Sequence, residues 1–92
     1  MYTLIIYDIS SDETREKVAK ACKEAGLVRI QKSAFLGTID AQRRKHLKRR
    51  IMRLIHGENA NVQIFQICNY DMGFREILGV DTVEEDGDLM II

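Results

Sequence analysis

The opening segment, Met-Tyr-Thr-Leu-Ile-Ile-Tyr-Asp over residues 1–8, constrains the chain most, because an apolar strand stops abruptly at a carboxylate. Five of the six residues from Tyr2 to Tyr7 are apolar or aromatic, and Thr3 is β-branched. Such a run predicts a strand buried on both faces. Ser10 and Ser11 follow at once and open a helix. An acid at the mouth of a buried strand, beside a turn, is where α/β-type domains hold ligands. Asp8 equally suits a turn cap, since Asp accepts hydrogen bonds from nearby backbone. Spacing alone favours the cap, and the residues that follow shift the balance.

Ninety-two residues make one domain, which buries roughly 60–70% of the surface an unfolded chain exposes. A second copy covering more apolar surface would add to so small a core. No run of about 20 apolar residues is present to span a bilayer, and the first residues lack the pattern of a signal peptide. The cytosol is the expected compartment and no membrane partner is expected. Cys22 falls on the apolar stripe of a predicted helix and Cys68 ends a predicted strand, both ordinary places for small buried hydrophobes. Without Cys-x-x-Cys spacing or a His cluster, the two cysteines do not point to zinc.

The formal net charge of zero hides a strong polarity. Residues 43–53 carry Arg43, Arg44, Lys45, Lys48, Arg49, Arg50 and Arg53 without one acid. From Asp71 onward stand Asp71, Glu76, Asp81, Glu84, Glu85, Asp86 and Asp88 against Arg75 alone. A basic helix balanced by an acidic tail suits a polyanion on one surface, or complementary contacts between copies or with a partner.

Ser10 and Glu13 are spaced as a capping box for a first helix, whose apolar positions are Val18, Cys22 and Ala25. Gly26 supplies its stop. Residues 27–39 read as a long irregular strand or as two strands, with Lys32 marking a bulge. Asp40 caps a second helix with a stripe of Leu47, Ile51, Leu54 and Ile55, ended by Gly57. Residues 62–68 form another strand, 69–73 a turn, and 74–80 a further strand. The order is β-α-β-α-β-β, or β-α-β-β-α-β with 27–39 split. Either places an α/β (α+β) chain in a ferredoxin-like sandwich, two helices on one face of an antiparallel sheet. Apolar residues load both faces of the sheet, so a sheet-to-sheet homodimer is the simplest cover. The domain is expected over 1–80. Residues 81–92 are expected as an acidic linker and a C-terminal strand that pairs with a sheet edge, of the same chain or of the partner subunit.

Two motifs carry a family resemblance. Tyr7-Asp8-Ile9 after an apolar strand, with Gly26-Leu27-Val28-Arg29-Ile30-Gln31-Lys32-Ser33-Ala34-Phe35-Leu36-Gly37 beyond the first helix, resembles the small CRISPR-associated endoribonuclease of the adaptation module. Ala34 stands where that family more usually has Val. The resemblance implies a ferredoxin-like homodimer, a metal-dependent phosphodiesterase active on RNA and in some members on double-stranded DNA, and a partner of the CRISPR integrase in acquiring spacers. By motif matching, Asp8 corresponds to the metal-binding acid, supplied once by each subunit. Arg15 and Arg29 fall at basic positions near the site, and Phe35 at the aromatic of the second motif.

Magnesium suits a pair of Asp8 carboxylates, because it takes carboxylate oxygens, keeps waters and bridges to phosphate. Lys45, Arg49 and Arg53 lie at i, i+4 and i+8, opposite Leu47 and Ile51. A solvated face is the plain alternative, but so many cations without an acid repel one another, so a sequence-independent contact to nucleic-acid phosphates is expected. Phe35 is expected to pack in the core or the dimer interface, with stacking on a base as the alternative. Ser33 either binds phosphate or satisfies a neighbouring backbone group. Two functions therefore stand side by side: a magnesium-dependent endoribonuclease, and a non-catalytic DNA-binding scaffold bridging integrase dimers.

Overall fold

A computed structural model describes residues 1–80. The expected linker and terminal strand at 81–92 lie outside the described residues. The elements are β1 (Tyr2–Ile9), α1 (Asp12–Glu24), β2 (Val28–Gln31), β3 (Ala34–Gly37), α2 (Ala41–Ile55), β4 (Ala60–Ile67) and a short α3 (Asn69–Met72). The four strands form one antiparallel sheet in the order β2-β3-β1-β4. This is the split reading of 27–39 and the order of a ferredoxin-like α+β sandwich.

The strand β1 alternates strictly. Thr3, Ile5, Tyr7 and Ile9 are buried, whereas Tyr2, Leu4 and Ile6 are half-buried and Asp8 is exposed. Burial on both faces is therefore not achieved within one chain, because the helices cover one side only. Under them Ile5, Val18, Cys22, Phe35, Leu47 and Ile51 form the core. On the open face the register aligns Val28, Leu36, Leu4 and Phe65 in one apolar row across all four strands. Its ends stay wet: Val28 is 42% exposed and Phe65 43%.

Helix α1 starts one residue later than the capping-box spacing predicts. Ser11 is its N-cap and accepts from the Thr14 amide. Ser10 is held elsewhere, its N–H donating to the Asn59 carbonyl at 3.1 Å and its Oγ accepting from Asn59 Nδ2 at 3.0 Å. Asp40 does cap α2, accepting from the Arg43 amide at 2.7 Å. An Arg50–Glu24 ion pair of 2.7 Å ties the helices together.

Residues 28–37 form a hairpin that turns at Lys32 and Ser33, and its bulge lies between Arg29 and Gln31 rather than at Lys32. The motif glycine Gly37 sits at a close approach, where a Cβ would lie 3.2 Å from the Leu27 side chain and that side chain would have to give way. Gly26 turns the chain out of α1 with a φ of +102°, which L side chains rarely adopt.

Two expectations fail near the end of the described chain. Residues 74–80 are not a strand, and 69–73 include the turn of helix α3. Apolar pattern predicts a strand there, but Phe74 meets the exposed Tyr70 ring edge to face at 5.1 Å, and Phe74, Leu78 and Val80 stand largely exposed among the described residues. Cys68 is exposed rather than buried, because its thiol caps α3 and accepts from the Asp71 amide. No helix among the described residues is long and apolar enough to cross a membrane.

Candidate functional site

The end of β1 carries Tyr7 and Asp8 to the lip of a groove of about 970 Å³ between α1 and the β2–β3 hairpin. Asp8, Arg15, Arg29 and Ser33, separated by up to 25 residues in sequence, all line it. Lys20, Lys23 and Lys32 add positive charge to its walls, with Glu16 as a second acid. Helical spacing by itself marks Lys20 and Lys23 only as outward residues of α1. Their place in the groove depends on how α1 lies against the hairpin.

Each motif residue is held by a distinct device. Strand pairing of β1 with β4 fixes Asp8 opposite Asn61, and its side chain stands exposed. Arg15 Nη1 donates to the Ile9 carbonyl at 3.0 Å, and its Nη2 pairs with Asp12. Arg15 thus clamps the corner that follows Asp8. The Arg29 guanidinium lies 5.1 Å from the centroid of the Phe35 ring, a cation–π distance. Tyr7 stacks on Phe35 from β1, with centroids 6.4 Å apart, and donates its hydroxyl to the Lys32 carbonyl at 3.4 Å. Burial pushes the Tyr7 hydroxyl above its ordinary value of 10.0, and hydrogen bonding with Arg29 partly offsets that.

Phe35 itself is 0% exposed, so it presents no ring face to a base. Stacking on nucleic acid is corrected to packing: Phe35 is the platform on which Arg29 and Tyr7 rest. Lys45, Arg49 and Arg53 stand exposed on α2, away from the groove lining. They form a separate basic surface.

Among the described residues, no group of three or more His, Cys, Asp or Glu could hold a metal ion. At the end of β1 one chain offers the Asp8 carboxylate, with Glu16 of α1 as the other acid lining the groove. Two copies meeting on their open faces would offer two Asp8 carboxylates, a donor number suited to magnesium because that ion retains several waters. The residues fit the ion only as a shared site.

The family model for CRISPR associated protein Cas2 matches residues 1–73. The chain belongs to the Cas2 family. A CRISPR-associated endoribonuclease Cas2 of Pyrobaculum aerophilum is 46% identical over 67 residues, covering 73% of this chain and 74% of the relative. Another, from Chloroflexus aurantiacus, is 42% identical over 78 residues, covering 85% and 92%. A Thermoproteus tenax protein described as a CRISPR-associated endonuclease Cas1/endonuclease Cas2 fusion is 39% identical over 67 residues, 73% of this chain and 25% of its own length. The fold matches the crystal structure of Streptococcus pyogenes Cas2 with a TM-score of 0.74 at 23% identity, covering 86% of this chain and 100% of that one. The groove and its motif residues thus lie within the Cas2-family segment.

Proposed function

We propose that this chain is a CRISPR adaptation endoribonuclease that works as a homodimer, with one Asp8 from each copy holding a magnesium ion. The observation that carries the proposal is the convergence of Asp8, Arg15, Arg29 and Ser33 on one basic groove at the end of the sheet. The apolar row through Val28, Leu36, Leu4 and Phe65 supplies the reason to dimerise, since so continuous a stripe on an uncovered sheet is costly in water. Packing two open faces would bring the Asp8 ends of two sheets towards one another.

Two close carboxylates repel, and a divalent cation relieves that repulsion. When bound, the ion supplies polarisation of the scissile phosphate and a more acidic water. The protein's own part is to orient the substrate. Arg29, braced on Phe35, is placed to stabilise negative charge building on the phosphate. Lys20, Lys23 and Lys32 attract the backbone, and Ser33 offers a hydroxyl donor at the same wall. RNA is the substrate suggested by the names of the relatives; double-stranded DNA is the alternative.

A second reading rests on a different observation. The exposed cations Lys45, Arg49 and Arg53 suit a scaffold that holds DNA through phosphates, and the Thermoproteus tenax fusion supports Cas1 as the partner it would join. The two roles are compatible. Asp8→Asn in highly purified protein separates them: magnesium-dependent RNA cleavage should disappear, and unchanged cleavage rejects the catalytic reading. Spacer acquisition retained by Asp8→Ala would assign the cellular role to the scaffold.

A further inference from the structure

Resting on the proposed shared cation, the donor set beside Asp8 is larger than the sequence indicates. Asp8 pairs directly with Asn61 across β1 and β4, on the face that also carries Leu4 opposite Phe65 and Ile6 opposite Gln63. Directly opposed residues of an antiparallel pair place their Cβ atoms roughly 4.5–5.5 Å apart on the same side. The face therefore changes character along its length. It is apolar at Tyr2–Ile67 and Leu4–Phe65, half polar at Ile6–Gln63, and wholly polar at Asp8–Asn61.

The Asn61 amide is also oriented. Gln63 Nε2 donates to Asn61 Oδ1 at 3.1 Å, which fixes that oxygen as an acceptor. An amide oxygen has two acceptor sites, so one remains after this bond. Both Asp8 and Asn61 are exposed in the single chain. Closing a second copy over the apolar end of the face would remove water from their surroundings, and polar groups taken from water require partners. A hard cation satisfies a carboxylate and an amide oxygen together, since both are oxygen donors it accepts.

We propose that Asn61 is a second oxygen donor to the divalent cation, so that the shared site comprises Asp8 and Asn61 from each copy. Asn61 and Gln63 are otherwise surface polar residues that merely keep the strand end wet, and binding measurements separate the two.

The test uses manganese(II) as the probe, read by its electron paramagnetic resonance signal and by calorimetry, on the full chain. Wild type should bind it, Asp8→Asn should lose binding, and Asn61→Ala should weaken it by about tenfold. Sedimentation and melting of each variant verify that dimer and fold persist. Should Asn61→Ala lose the dimer, Asn61→Asp carries the same test: a near-isosteric added carboxylate should tighten binding severalfold. Loss with Asp8→Asn but no effect of either Asn61 substitution overturns this inference alone. Undiminished binding by Asp8→Asn overturns the shared-cation reading beneath it, and this inference with it.

Discussion

Arg15 donates a hydrogen bond of 3.0 Å from Nη1 to the carbonyl oxygen of Ile9, the residue that follows Asp8. A cation from the first helix thus holds the backbone at the point where the strand releases its acid. The loop before β4 reinforces the same corner, because Thr14 Oγ1 donates to Glu58 Oε1 at 2.9 Å and Ser10 is bound to Asn59. Asp8 is positioned by three elements that meet only in the folded chain.

Removing that clamp should act on position rather than on binding. Arg15→Ala is expected to cost about 1–2 kcal/mol of stability, from the lost charge-assisted bond, measured by denaturant melts. RNA cleavage should fall by roughly 10–100-fold through kcat, as a displaced catalytic group does. A rise in KM at constant kcat would instead make Arg15 a direct phosphate contact.

The open face should be divisible from the fold. Phe65 is 43% exposed at the end of the apolar row, so Phe65→Glu leaves the core intact and puts an unpaired charge into each half of a dimer packed on this face. The expected result is a monomer in sedimentation, a nearly unchanged melting temperature, and no magnesium-dependent cleavage. A dimer that survives this substitution would place the contact elsewhere.

Duplex DNA should respond to a different surface. Replacing Lys45, Arg49 and Arg53 by Ala removes three exposed cations of α2. If each meets a phosphate, the slope of log affinity against log salt should shrink by about 2–3. Affinity measured by fluorescence anisotropy at several salt concentrations checks this. An unchanged slope would leave α2 as a solvated face.

The two thiols should behave oppositely. Cys22 is 0% exposed, and burial pushes its thiol up to about 12 from an ordinary 9.0. Cys68 is exposed. Native protein should therefore be alkylated rapidly at Cys68 and at Cys22 only on unfolding, as mass spectrometry can read. Because the folded value lies above the unfolded one, the neutral Cys22 thiol contributes stability that is present below 9.0 and lost as the pH rises towards 12. Cys22→Ala should flatten the alkaline fall in melting temperature across that window.

Local pattern suffices for α1, α2, the apolar strands β1 and β4 and the two motifs. Periodicity marks Leu47 and Ile51, Asp40 supplies its own cap, and an apolar run ending in Asp8 needs no distant partner to be seen. Where reading failed, the deciding contact was remote. Ser10 lost the cap to Ser11 because Asn59 holds it, and residues 74–80 have strand-like composition but pair with no strand among the described residues. The same holds at the site. Asp8, Arg15, Arg29 and Ser33 were nameable as residues, but their common groove, the burial of Phe35 beneath Arg29, and the pairing of Asp8 with Asn61 came from sheet register and helix packing. Composition records which side chains a chain owns, whereas hydrogen bonding between strands far apart in sequence decides which of them share a face.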